Sequence, residues 1–157
     1  YGQQYHAAAV GEVNVVAEMK RTHSVIGGEG NGGVIYPESH YGRDALVGVG
    51  LFLSHYVAQS KKMPELKSTY PQYFISKNKM TLSPDMDVDK ILEGLKERYA
   101  TEKVTDIDGV KIDFAQGWVH LRKSNTEPII RIYSEAKDEA AANQLAEEVI
   151  AAAKSTF

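Results

Sequence analysis

Trp118-Val119-His120-Leu121-Arg122 and Ile129-Ile130-Arg131-Ile132-Tyr133-Ser134-Glu135 flank the polar, turn-prone stretch Lys123-Ser124-Asn125-Thr126-Glu127-Pro128. Alternation of apolar and polar side chains puts every second residue on one face of a strand. The segment therefore predicts two strands joined through a hairpin loop. Upstream, Val110, Ile112 and Phe114 alternate in the same way, and Gln116-Gly117 makes the turn into Trp118. Three consecutive strands joined by short turns imply an antiparallel sheet.

Outward from this run, a strand is expected over Tyr73 to Leu82. Asp87 or Ser83 then caps a helix with Val88, Ile91, Leu92, Leu95 and Tyr99 on one stripe. A final helix presents Ala142, Leu145, Ala146, Val149, Ile150 and Ala153. The order β-α-β-β-β-α predicts an α+β unit over residues 73–157, a small antiparallel sheet with both helices on one face. Residues 61–72, with Lys61-Lys62, Pro64 and Pro71, read as a linker. Residues 1–60 read as a separate α/β part. It has a helix from Val10 to Lys20 entered through Gly11, short strands at Ser24–Ile26 and Val34–Tyr36, and a polar loop over Glu38–Asp44. Asp44 then caps a helix carrying Ala45, Leu46, Val49, Phe52, Leu53, Tyr56 and Val57.

The 157 residues suffice for one domain or two small ones, and the formal net charge of −3 gives no general attraction to nucleic acid or to a membrane. With no cysteine there is no disulfide or thiolate chemistry, which favours a cytoplasmic setting. No apolar run approaches the length of a membrane span. The five histidines show no metal-ligand spacing, so no metal site is expected in this chain.

Against that background the hairpin loop carries the chemistry. Arg122 ends the strand entering it and Arg131 lies in the strand leaving it, with Ser124, Asn125 and Thr126 between. Guanidinium forks match phosphate oxygens two at a time, and hydroxyl, amide and turn N–H donors fill the remaining lone pairs. The stretch reads as a cup for a phosphate monoester. The competing reading is an ordinary polar turn, since Ser, Asn, Thr and Pro each have backbone reasons to be there.

A second constellation is Gly27-Gly28-Glu29-Gly30-Asn31-Gly32-Gly33, five glycines in seven residues. So many glycines carry a high conformational-entropy cost. They frame two functional side chains, Glu29 and Asn31, with Gly30 between. A carboxylate that accepts and an amide that donates and accepts suit adjacent sugar hydroxyls. The alternative is a flexible turn. The spacing fits neither a dinucleotide fingerprint nor a Walker loop.

Val10-Gly11-Glu12, Gly28-Glu29-Gly30-Asn31-Gly32-Gly33 and Arg122-x-Ser124-Asn125-Thr126-Glu127-Pro128-x-x-Arg131, in that order, resemble the α-D-phosphohexomutases. That superfamily contains the phosphoglucomutases, phosphomannomutases and phosphoglucosamine mutases. The resemblance spans essentially the whole chain, with residues 1–60 similar to the later part of the third domain and 73–157 to the fourth. It implies a four-domain enzyme that moves a phosphoryl group between C1 and C6 of a hexose, through a phosphoserine and a bisphosphorylated sugar. The phosphoserine and the aspartate loop for Mg²⁺ belong to earlier domains. A chain beginning at Tyr1 is thus expected to be a C-terminal portion, inactive alone, whose partners are a phosphorylated hexose and the missing N-terminal domains.

By the same resemblance Arg122, Ser124, Asn125 and Thr126 would hold the phosphate that is not reacting, helped by Arg131. Glu29 would accept from the sugar's C3 and C4 hydroxyls. Asn31 and Gly33 replace a serine and a histidine of many relatives. Glu12 stands where the family places a histidine or an acid, and reads as a proton-transfer residue or as a solvated helix-start acid. His40 and Arg43, just after the sugar loop, are further cleft candidates. Glucose, mannose and glucosamine phosphates all stay open. A stand-alone phosphosugar-binding module is the rival reading; nucleic-acid binding by the sheet is disfavoured by the absence of a basic stripe and of interleaved aromatics.

Overall fold

The computed structural model describes residues 4–84, 86–124 and 126–155. The chain forms two units that divide between Pro71 and Gln72.

The first unit opens with α1 (Glu12–Thr22), entered through Gly11 at φ +118°, a backbone state that suits glycine. Glu12 in its first turn and Lys20-Arg21 in its last complement the helix dipole. A three-stranded antiparallel sheet follows in the order β1 (Gly27–Gly28), β2 (Val34–Tyr36) and β3 (His40–Arg43). Helix α2 (Ala45–Gln59) is capped as expected by Asp44, whose carboxylate accepts the Val47 N–H, and α3 (Met63–Ser68) comes next.

Three expectations for this unit are corrected. The strand expected at Ser24–Ile26 lies instead on Gly27–Gly28, while Val25 and Ile26 stay exposed. Lack of a Cβ decides this: one built on Gly28 would stand 2.4 Å from the Gly33 carbonyl oxygen, and one on Gly27 would run into the Met19 sulfur. The polar loop over 38–44 contains strand β3, which pairs Arg43 with Ile35 and His40 with Tyr36. An edge strand is held by its ladder bonds and does not need an apolar face. The linker 61–72 holds α3, with Leu66 buried and the Glu65 carboxylate accepting the Lys62 N–H. Helix α2 itself buries none of its residues: Leu46 is 82% and Val57 74% exposed. Its packing partners are chiefly β2 and α3, too little surface for a helix apolar on every side.

The second unit contains β4 (Phe74–Thr81), α4 (Val88–Arg98), β5 (Lys103–Thr105), β6 (Val110–Phe114), β7 (Gly117–Lys123), β8 (Ile129–Ala136) and α5 (Glu139–Lys154). The sheet is antiparallel throughout, in the order β4-β8-β7-β6-β5. Within this unit, the short β5 is a strand that the sequence does not announce. It pairs Lys103–Thr105 with β6 after the α4 turn, too brief a run to show alternation.

Both helices cover one face. Ile130, Ile132, Ser134 and Ala136 of β8, Val119 and Leu121 of β7, and Val110 and Ile112 of β6 point into a core closed by Ile91, Leu95, Ala142, Leu145 and Val149. Each fully buried Ile, Leu or Val there contributes about 1.5–3 kcal/mol of transfer free energy. Among the described residues Ser134 is the one fully buried polar side chain, and its hydroxyl donates to the Ala142 carbonyl at 2.7 Å. Asp87 and Asp138 cap α4 and α5 through backbone N–H groups.

Alternation sends the polar set to the opposite face. Trp118, His120 and Arg122 of β7 stand beside Glu135, Tyr133 and Arg131 of β8. Two cations lie over aromatic rings here, Lys77 over Tyr133 and Lys111 over Trp118. On the same face Lys111 pairs with Asp113, and the Trp118 indole N–H donates to Glu135. Among the described residues no helix is long and apolar enough to cross a membrane.

Candidate functional site

The phosphate-cup residues gather at the end of the β7–β8 hairpin. The Ser124 N–H donates to the Ile129 carbonyl at 3.0 Å and closes the loop. Within it, the Thr126 N–H reaches the Ser124 hydroxyl at 3.4 Å, and the two hydroxyls approach to 3.5 Å. The Leu82 N–H donates to the Pro128 carbonyl and ties the loop to the end of β4. Ser124 is buried at the loop's root, whereas Thr126 is exposed. Asn125 lies outside the described residues.

Arg122 and Arg131 are directly opposed across β7 and β8 and therefore share a face. Like charges in this register repel. Each has a carboxylate beside it: Arg122 Nη1 donates to Asp108 Oδ2 at 3.2 Å, and Arg131 Nη2 to Glu127 Oε2 at 3.1 Å. Asp108 comes from the β5–β6 turn, seated on β7 because Gly109, at φ +71°, lets backbone meet backbone. The loop thus presents two aligned guanidinium groups and two hydroxyls, a donor-rich arrangement that suits a dianionic oxygen cluster.

In the first unit the glycine loop turns tightly, with Gly32 N–H donating to the Glu29 carbonyl and Glu29 N–H to the Gly33 carbonyl, both at 3.1 Å. Glu29 is held from outside the loop: its Oε1 accepts the Gly11 N–H at 3.2 Å, and its Oε2 lies 4.0 Å from Arg43 Nη1. Arg43 in turn grips Glu12, by its Nε at 2.8 Å and by its backbone N–H at 3.2 Å. These two Arg43 contacts, side chain first, hold the Glu12 carboxyl below its ordinary value. Asn31 accepts the Gly33 N–H at 3.0 Å and so shapes the loop. Gly33 is glycine for a visible reason: a Cβ there would meet Arg43 Cδ at 2.6 Å.

Comparison with known proteins matches residues 1–73 to the phosphoglucomutase/phosphomannomutase alpha/beta/alpha domain III, and residues 77–152 to the C-terminal domain of the same family. The chain belongs to the phosphohexomutase superfamily. It is 38% identical over 151 residues to the phosphoglucosamine/phosphogalactosamine mutase of Sulfurisphaera tokodaii, covering 95% of this chain and 33% of that protein. A phosphoglucomutase/phosphomannomutase of Thermococcus kodakarensis is also 38% identical, over 148 residues, covering 93% of this chain and 32% of that protein. The crystal structure of a phosphoglucomutase/phosphomannomutase family protein from Burkholderia thailandensis shares the fold. Its TM-score is 0.71 at 23% identity, over 94% of this chain and 31% of that one. The chain spans about a third of the length of the curated relatives it matches.

Within this phosphohexomutase chain, the residues singled out from the sequence form two groups. Arg122, Ser124, Thr126 and Arg131 come together in the second unit; Glu12, Glu29, Gly30, Asn31 and Arg43 come together in the first. His40 contacts Asp44, with its Nε2 3.1 Å from Asp44 Oδ2. Asp44 itself is held below its ordinary value, first by the Val47 N–H and then by His40.

Three contributors have roles that the sequence does not assign: Gly11, whose N–H holds Glu29, and the carboxylates Asp108 and Glu127 beside the two arginines. Asp108-Gly109 was legible as a turn signal, but the partner across β7 depends on register. Among the described residues no group of three His, Cys, Asp or Glu side chains is placed to hold a metal ion.

Proposed function

We propose that this chain supplies sugar-hydroxyl and phosphate recognition to a phosphohexomutase, an isomerase that interconverts hexose 1-phosphates and 6-phosphates. Phosphomannomutase/phosphoglucomutase is the leading activity and phosphoglucosamine mutase the alternative, both names occurring among the relatives. The observation that carries the reading is the opposed pair Arg122 and Arg131 bracketing the Ser124–Thr126 hydroxyls.

In this reading Arg122, Ser124, Asn125 and Thr126, with Arg131, hold the phosphate that waits while the other end of the sugar reacts. Phosphoryl transfer is catalysed mainly by alignment and charge stabilisation, so a held distal phosphate lowers the barrier at the reacting one. Glu29 accepts from the C3 and C4 hydroxyls, which occupy similar places after the sugar turns over. Arg43 and the Gly11 N–H keep that carboxylate in place. A carboxyl held low, like that of Glu12, is a poor proton donor near neutral pH, so Glu12 serves to anchor Arg43.

The phosphoserine and the Mg²⁺ that would stabilise charge on the transferring group belong to segments outside this chain. The cysteine-free composition supports a cytoplasmic setting. The test is a panel of coupled assays on the intact protein with glucose, mannose and glucosamine 1-phosphates, together with the sequence upstream of Tyr1. Turnover of at least one substrate is expected, with a serine loop and an aspartate loop upstream. Absence of both loops would leave a non-catalytic phosphosugar-binding module and overturn the enzyme reading.

A further inference from the structure

The Arg122 guanidinium is under three constraints that meet at the β5–β6 turn. Gly109 at φ +71° sits so close to β7 that a Cβ would stand 2.1 Å from the Leu121 carbonyl oxygen. His120 Nε2 lies 2.5 Å from the Asp108 carbonyl oxygen, a second tie between the turn and β7. Asp108 Oδ2 then accepts from Arg122 Nη1 at 3.2 Å, with the two side chains 27% and 32% exposed. Among the described residues this is the polar contact of the Arg122 side chain, which leaves Nε and Nη2 able to donate to a ligand. Arg131 directly opposite would otherwise push Arg122 away.

We propose that Asp108 is a positioning residue for the phosphate loop: its carboxylate fixes the Arg122 guanidinium so that its remaining donors are ordered before a phosphate arrives. The proposal rests on the reading of the Ser124–Thr126 loop as a phosphate site. It makes a prediction opposite in sign to simple electrostatics. Removing a carboxylate beside an anion site should tighten anion binding by Coulomb's law. Removing a positioning group should weaken it, because ordering a rotamer-rich side chain is then charged to the binding step.

The experiment is an NMR titration of the full 157-residue chain with inorganic phosphate, following backbone amides and arginine Nε–H signals in the wild type, Asp108→Asn and Asp108→Ala. The wild type should show phosphate-dependent shifts at Ser124, Thr126 and Arg122. Asp108→Ala should bind about two- to tenfold more weakly. Asp108→Asn, which keeps an acceptor oxygen, should fall between. In the phosphate-free variants the Arg122 Nε–H order parameter should drop while the core amides of β6–β8 keep their shifts, a change that a purely structural role would not produce. If Asp108→Ala does not fold, the near-isosteric Asp108→Asn carries the comparison alone. Equal or tighter phosphate binding by a folded variant overturns the positioning role and leaves the phosphate loop standing. No response of wild-type Ser124, Thr126 and Arg122 to phosphate overturns the loop reading and the proposal with it.

Discussion

Arg122 and Arg131 face each other directly across β7 and β8, and each carries its own carboxylate, Asp108 at 3.2 Å and Glu127 at 3.1 Å. Two opposed guanidinium groups are a liability in a sheet without such compensation, and in the proposed function a phosphate dianion would engage both at once. The two pairs differ. Asp108 reaches Arg122 from another hairpin on a fixed backbone, whereas Glu127 is a neighbour four residues from Arg131, itself 52% exposed.

That difference ranks the arginines. A hydrogen bond from a charged group contributes about 1.5–3 kcal/mol, so Arg122→Ala should weaken inorganic phosphate binding about ten- to hundredfold. Arg131→Ala should cost less, because its exposed pair orders it less well. Isothermal or NMR titration of the two variants gives the order; a larger loss at Arg131 would contradict it.

Gly109→Ala should damage the second unit. The substitution forces a Cβ into positive φ and against the Leu121 carbonyl. A loss of at least about 2 kcal/mol is expected, visible as a lower thermal midpoint. An unchanged midpoint would mean that the turn does not seat on β7 as described.

In the sugar loop, Glu29→Gln should reduce binding of a hexose phosphate to the intact protein more than Asn31→Ala. The first removes the charged acceptor, while the second removes a bond that shapes the loop, Asn31 Oδ1 to Gly33 N–H at 3.0 Å. Comparison of KM values for the two variants tests this, and the reverse order would shift the sugar contact from Glu29 to Asn31.

The Glu12–Arg43 pair makes the first unit acid-sensitive in a defined direction. The Glu12 carboxyl is lowered in the folded chain by Arg43, so its contribution is complete above the ordinary carboxylate value of 4.5 and is lost as pH falls through the lower folded value. Asp44, lowered from 3.8 by the Val47 N–H and His40, acts in the same sense. Between pH 5 and 7 these two carboxylates should contribute no pH dependence to stability. Glu12→Gln should flatten part of the fall in the acid range. An acid limb identical in that variant and the wild type would remove Glu12 from the account.

Much of the second unit was legible because its strands alternate strictly: Val119, Leu121, Ile130 and Ile132 announce one buried face, and the loop between them announces a hairpin. The first unit was harder to read. Its β1 consists of two glycines, its β3 is polar at an edge, and α2 is apolar all round, so periodicity assigns no face to any of them. The site followed the same division. Arg122, Ser124 and Thr126 are close in sequence and could be seen together; Asp108 and Gly11 act across register and through backbone, where side-chain patterns carry no signal.

The most direct test is kcat/KM for hexose 1-phosphate conversion by the intact protein, with and without Arg122→Ala. On the proposed reading, in which the loop both binds and aligns, the substitution should raise KM, lower kcat and reduce kcat/KM about ten- to hundredfold. An unchanged kcat/KM would contradict the account.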